Sequence, residues 1–155
     1  MDLKDIHWNI KTFDELTAKE LYEILRARAE VFIKGQGIKC VDPDGVDYDS
    51  LHVYSMTDDG VNSYLRAYRS GDGIMKMGRI LAMPQRKGIG TGLMEYAIKR
   101  ISEVTGCTKI IMDAQKHAVP FYERLGFKVT SDEYLEEGIV HVDMCLDVLQ
   151  MKESK

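Results

Sequence analysis

The stretch Gln85-Arg86-Lys87-Gly88-Ile89-Gly90-Thr91-Gly92, QRKGIGTG, decides how this chain is read. It joins the apolar run RILAM (79–83) to the helical-looking LMEYAIKRISEV (93–104). A basic turn almost bare of side chains between a strand and a helix suits phosphate. Backbone N–H groups can approach the anion, and the start of the helix adds its positive end. Three phosphate loops compete for the match. A P-loop for ATP needs GxxxxGK[ST], with the lysine on the terminal phosphates and the hydroxyl on magnesium, and no GK[ST] occurs in this chain. A dinucleotide fingerprint needs GxGxxG after the first strand of a βαβ unit. GIGTG supplies only G-x-G-x-G. The third pattern, [QR]-x-x-G-x-G, is met by QRKGIG at every position.

Working outward from the loop, IHWNI (6–10) reads as a first strand, and a helical pattern follows from Phe13. Leu21, Leu25, Arg28 and Phe32 share one face of it, which places Arg28 among apolar residues as a structural arginine for loop carbonyls or carboxylates. Gly35 and Gly37 end this helix, and CVDPDGVDYDS (40–50) is a polar loop. LHVYSMT (51–57), VNSYLRAYRS (61–70) and IMKMGRILAM (74–83) form a meander, with DDG and GDG as its turns. After the glycine loop, Ile89, Leu93, Met94, Ala97, Ile98 and Ile101 mark one side of a helix. TKIIMDA (108–114) is a buried strand, and HAVPFYERLGF (117–127) holds a short helix closed by Gly126. FKVTSDEY (127–134) and IVHVDMCLDVL (139–149) close the chain as two strands around Gly138. In the last strand Val140, Val142, Met144, Leu146 and Val148 alternate with His141, Asp143, Cys145 and Asp147, giving a sheet with one buried face. The order predicts an α/β (α+β) architecture, a mixed central sheet of about seven strands with helices on both faces. Residues 1–150 are expected to form one domain and 151–155 a frayed tail.

A second motif, FYERLGF (121–127), lies one strand and one loop beyond the first. Together the two stretches resemble the Gcn5-related N-acetyltransferases (GNAT), whose signatures are [QR]xxGxG and a later FYxxxGF. LRARAEVFIKGQ (25–36), VDPDGVD (41–47), DAQKHAVPFYERLGF (113–127) and EYLEEGIVHVDM (133–144) extend the similarity, toward the ElaA-like branch, along most of the chain. That branch usually has a glycine straight after the loop arginine. Here the loop reads Pro84-Gln85-Arg86-Lys87-Gly88, so Gln85 and Arg86 both stand as occupants of the family's [QR] position.

The resemblance implies acetyl-CoA as cofactor and a sheet splayed between its fourth and fifth strands. Pantetheine would lie in that gap, hydrogen-bonded to the backbone of Leu81, Ala82 and Met83. The pyrophosphate would rest on Gln85, Arg86, Lys87, Gly88, Ile89, Gly90, Thr91 and Gly92, with Gln115, Phe121 and Tyr122 completing the cofactor site. Tyr122 matches the tyrosine that faces the thiol sulfur and is the candidate acid for the leaving thiolate. His141 is the candidate base for the acceptor ammonium. His52 and His117 also titrate in a suitable range, and Glu136 and Glu137 lie in a turn that can border the acceptor cleft.

The implied activity is transfer of an acetyl group to a primary amine of a small molecule or peptide, by direct attack in a ternary complex. The alternative is an acyl-CoA-binding sensor without turnover. With a net charge of −4, attraction to nucleic acid or anionic membrane is not expected. Cys40, Cys107 and Cys145 show no metal-ligand or disulfide spacing, and Asp42, Asp44 and Asp47 lack the spacing and terminal glutamate of a calcium loop. No metal is expected. The charged N-terminus and the lack of a long apolar run point to the cytoplasm, with a monomer or homodimer as the assembly.

Overall fold

The computed structural model describes residues 5–39, 41–83 and 88–153, with side chains described through residue 150. Cys40 and the loop calls on Gln85, Arg86 and Lys87 lie outside the described residues.

The chain opens with β1 (Trp8–Thr12). The helix expected from Phe13 starts later. Phe13–Glu15 is a separate 3-10 turn, and α1 spans Ala18–Arg28. Two overlapping capping signals explain the delay. Glu15 returns to the Thr12 N–H at 2.9 Å, and Glu20 returns to the Thr17 N–H at 2.8 Å while Thr17 Oγ1 accepts from the Glu20 N–H. Each box fixes a helix start, and Leu16 between them is extended. Beyond Arg28 the chain widens into a π-helical stretch, Ala29–Gly35, and stops at Gly37 with φ 65°.

The meander is β2 (Leu51–Thr57), β3 (Gly60–Gly71) and β4 (Ile74–Ala82). Then come α2 (Ile89–Thr105), β5 (Lys109–Gln115), α3 (Val119–Arg124), β6 (Lys128–Val129), β7 (Tyr134–Glu136), β8 (Ile139–Asp147) and α4 (Val148–Glu153). One eight-stranded sheet runs β1-β2-β3-β4-β5-β8-β6, with β7 also paired to β8. Among the described residues only β4 and β5 pair in parallel. The extra strand comes from FKVTSDEY, which is two short strands instead of one. Both pair with β8, and between them the Ser131 hydroxyl accepts from the Asp143 N–H at 2.8 Å, taking a bond that a strand would have made. The final strand ends at Asp147, whose carboxylate accepts the N–H groups of Leu149 and Gln150 and so starts α4 where Val148 was expected to extend the strand.

Two cores flank the sheet. The six residues predicted for the inner face of α2 are all buried, and all but Ile89 share a core with Val53, Leu65, Met77, Ile110, Met112 and Met144 among others. On the opposite face, Ile24 and Ala27 of α1 pack on Tyr54, Tyr64, Val61 and Leu81.

The feature that positions the site is the parting of β4 from β5. They pair only from Ile74–Lys109 to Met77–Met112, after which each runs on without the other. A bulge in β4 begins at the same place. The β3–β4 register slips between Tyr64/Leu81 and Arg66/Gly78, and Arg79 sits at φ 52°. A non-glycine residue there is uncommon and costs on the order of 1 kcal/mol. Its guanidinium is held by Asp42, Nε to Oδ1 at 2.9 Å and Nη2 to the carbonyl at 3.1 Å. A bulge increases local twist, and the extra twist carries the end of β4 away from β5.

Candidate active site

A cleft of about 710 Å³ occupies the gap between the parted strands. Leu81, Ala82, Gln115, Ala118, Tyr122 and His141 line it, with Lys76, Asp113, Glu136 and Glu137 also on its wall. The start of α2 stands where β4 ends. Gly88 precedes the helix at φ 82°, a conformation that L side chains rarely adopt.

Backbone alternation refines the β4 assignments. The Met83 N–H is committed to the Asn62 carbonyl at 2.8 Å, and Leu81, paired with Tyr64, faces β3 in the same way. Successive residues of a strand point their polar groups to opposite sides, so Ala82 presents its N–H and carbonyl to the gap. The expectation that Met83 donates there is therefore corrected, and Ala82 is the residue of the three placed to do so.

The loop glycines separate by what surrounds them. A Cβ on Gly90 would sit 3.7 Å from both the Ala82 Cβ and the Phe121 ring, at ordinary contact distance beside the end of β4. A Cβ on Gly92 would lie 2.8 Å from Trp8 Cζ2, an overlap with the indole that packs on Tyr96. Gly92 thus has a packing reason to lack a side chain, whatever it does for phosphate. Gly92→Ala is expected to cost up to about 2 kcal/mol, overpacking against the indole offset in part by helix propensity. Gly90→Ala is expected to hold or raise the melting temperature. If the glycine exists for the cofactor, Gly90→Ala weakens acetyl-CoA about tenfold or more. Melting curves and CoA titrations of both variants decide. Unchanged CoA affinity in Gly90→Ala would make the loop a plain helix entry.

Tyr122 is positioned by α3, which has Pro120 in its first turn and is followed by Gly126 at φ 105°. The ring is 8% exposed and meets Phe121 and Phe127 edge-on. Its hydroxyl has no hydrogen-bond partner among the described residues. Burial pushes the phenol up to about 12, so Tyr122 keeps its proton at any working pH.

The three histidines separate. His52 is fully buried, with Nδ1 at 2.7 Å from the Tyr64 hydroxyl and Nε2 at 2.9 Å from the Asp47 carbonyl. Nε2–H then donates to the carbonyl and Nδ1 accepts from the phenol. Burial first of all pushes its pKa down. His52 is structural and is corrected as a candidate base. His117 lines the cleft with Nε2 at 2.7 Å from Gln115 Oε1, and Gln115 in turn bonds Gln36 at 3.2 Å. His141 is 7% exposed on β8, with Nδ1 at 2.8 Å from the Ile139 carbonyl and Nε2 at 3.6 Å from Glu136 Oε2. A carbonyl can only accept, so Nδ1 donates to it, and Nε2 faces Glu136. Asp143, on the same strand face, does not orient it. That carboxylate is taken by the Tyr134 hydroxyl at 2.6 Å, and the Tyr134 ring stacks on His141.

Arg28 and the acidic loop form a unit. Arg28 is fully buried and bonds Asp42 at 2.9 Å and Asp47 at 2.7 Å. Arg66 adds Asp44 at 2.8 Å and Asp47 at 3.0 Å, and Arg79 adds Asp42. Arg28 is thus the structural arginine it was expected to be. Sequence reading missed Arg66 and Arg79 as its companions. It also missed Lys76, whose ammonium meets Asp113 at 3.1 Å just where β4 and β5 part. A lone charge in an apolar strand, as in IMKMGRILAM and TKIIMDA, was the available signal.

The family model described as an acetyltransferase (GNAT) domain matches residues 47–148. A UPF0039 protein of Schizosaccharomyces pombe is 32% identical over 94% of this chain and all of its own length. The crystal structure of an acyl-CoA N-acyltransferase from Pseudomonas aeruginosa superposes with a TM-score of 0.84 at 32% identity, covering 90% of this chain and 99% of that one. That of Escherichia coli ElaA gives 0.84 at 26% identity, covering 92% and 99%. Among the described residues no helix is long and apolar enough to cross a membrane.

Proposed function

We propose, since the chain belongs to the GNAT acetyltransferase family, that it transfers an acetyl group from acetyl-CoA to a primary amine of a small molecule or peptide within a ternary complex. The observation that carries this reading is the unpartnered Tyr122 hydroxyl on the wall of the gap between β4 and β5. A phenol that opens onto a cleft and bonds no protein group there is free to bond a ligand.

The residues present fit the cofactor. Ala82 offers backbone groups to the gap, Gly90 leaves space between Ala82 and Phe121, and the α2 N-terminus suits a pyrophosphate. Acetyl-CoA supplies an activated acyl thioester. His141 Nε2 accepts the proton that the acceptor ammonium must lose before its nitrogen can attack. Tyr122 gives its proton to the sulfur as the carbon–sulfur bond breaks, and recovers one through solvent. The nitrogen loses its second proton to solvent after attack, and His141 releases the first, so the balance is an amide, a free thiol, one proton and an unchanged protein.

Acetyl-CoA is expected to raise the melting temperature by mass action, equivalent to about 2.7 kcal/mol at a hundredfold excess over Kd. A thermal-shift comparison with ATP and NAD tests it. A shift with either nucleotide and none with acetyl-CoA would sink the reading. CoA release over a panel of amines then separates an enzyme from a binding module, which would bind acetyl-CoA and release nothing.

A further inference from the structure

β4 changes face in mid-strand. Met77 and Leu81 are four residues apart, so an unbroken strand would point both side chains the same way. They lie in opposite cores, Met77 with the residues of α2 and Leu81 with those of α1. The residue gained at the bulge makes the difference: Arg66 pairs with Gly78, and Tyr64, two residues along β3, pairs with Leu81, three residues along β4. The backbone polar groups change sides with it. Were the pairing before the bulge to continue, Tyr64 would meet Ile80, and Ala82 would turn its N–H and carbonyl to β3, leaving Leu81 and Met83 toward the gap. In the observed register the Met83 N–H goes to the Asn62 carbonyl and Ala82 is left for the gap.

The bulge is held from outside the sheet. Arg79 takes the positive φ, which a glycine would adopt without strain. What the arginine adds is its side chain. Nε–H donates to Asp42 Oδ1 at 2.9 Å and Nη2–H to the Asp42 carbonyl at 3.1 Å. Asp42, 7% exposed, is itself fixed by Arg28 of α1, whose Nε reaches Oδ2 at 2.9 Å and whose Nη2 reaches the same carbonyl at 2.9 Å. A two-point contact on each side fixes the orientation of the carboxylate, so α1, the acidic loop and the bulge are joined through this one residue.

We infer that Arg79 is a positioning residue for acetyl-CoA, anchored by Asp42: the pair holds β4 in the register that presents Ala82 to the cofactor. Arg79 acts through the backbone three residues on, without touching the ligand. The inference rests on the acetyltransferase reading for the identity of that ligand. A protein whose binding-competent form is only partly populated loses apparent affinity by that fraction.

The test compares Arg79→Ala, Arg79→Gly and Arg79→Lys by calorimetric titration with acetyl-CoA and by amide hydrogen exchange without it. Arg79→Ala gives up the pair and keeps a Cβ that resists positive φ. It is expected to weaken acetyl-CoA about tenfold, the competent register falling to about a tenth. Arg79→Gly also gives up the pair but accepts the positive φ freely, and is expected to recover most of that loss. In the cofactor-free wild type the Met83 amide is expected to exchange about tenfold or more slowly than that of Ala82, a contrast that Arg79→Ala shrinks and Arg79→Gly keeps. Unchanged affinity in Arg79→Ala, or a loss that Arg79→Gly fails to recover, would overturn the inference; recovery by Arg79→Lys alone would put the charge itself on the ligand. An exchange contrast that Arg79→Ala leaves intact overturns it as well. If the wild type binds no acetyl-CoA, the acetyltransferase reading falls, and the exchange contrast still decides whether Arg79 sets the register.

Discussion

Tyr122→Phe is expected to lower kcat by about 10²–10⁴-fold, the usual contribution of a positioned general acid. Acetyl-CoA affinity should stay nearly unchanged, because the ring and its edge-on contacts with Phe121 and Phe127 remain. The stability should not follow the activity. The hydroxyl that is removed bonds no protein group among the described residues, so phenylalanine should leave the melting temperature nearly unchanged. A residue kept for packing alone would show no loss of turnover on this substitution. The pH profile adds a second discriminator. An ordinary phenol would impose an alkaline limb near pH 10, whereas burial pushes this one up to about 12. The wild-type rate should therefore run flat through pH 9–10 as far as the acid is concerned. The measurement is kcat and CoA Kd for both proteins from pH 6 to 10 with an accepted amine. Equal turnover across that range would reduce Tyr122 to a packing residue.

What the sequence made legible was local. Gly88 and Phe121–Phe127 announce themselves because a helix entry and a short helix closed by glycine are written in neighbouring residues. The inner face of α2 and the alternation of β8 follow from periodicity. Pairing across the sheet was not readable in the same way. FKVTSDEY looks like one strand until β8 selects Lys128–Val129 and Tyr134–Glu136 separately and Ser131 interrupts them. The bulge at Arg79 has no sequence signature, because arginine is an unusual residue for positive φ. Arg28 was readable by its place on an apolar face, but its partners Asp42 and Asp47 lie 14 and 19 residues away, and Arg79 reaches Asp42 across 37. The same limit hid the commitment of His52 to Tyr64 and Asp47, which only burial reveals.

Removing one carboxylate from that network should show how much of the fold hangs on it. Asp47→Ala is expected to destabilise the protein by about 3–5 kcal/mol, the cost of leaving a buried charge without its partner. Arg28, fully buried, would keep Asp42 but lose its 2.7 Å bond, and Arg66 would lose one of its two aspartates. Against a typical total of about 5–15 kcal/mol this is a large fraction, corresponding to a fall of roughly 6–20 °C in melting temperature. Asp44→Ala should cost less, because that carboxylate is partly open to solvent. The pH dependence has a definite sign. Burial works against ionisation of Asp47, but the hydrogen bonds and charges of Arg28 and Arg66 more than offset it and hold its carboxyl below the usual range. A depressed folded-state value means stability that is fully present above the unfolded value, about 3.9, and is lost as pH falls below it. The gap between wild type and Asp47→Ala should therefore be widest near pH 7 and narrow toward pH 3. Urea unfolding at both pH values measures it. A difference under about 1 kcal/mol at pH 7, the level of an ordinary surface ion pair, would show that the network is not what fixes this loop against β3 and β4.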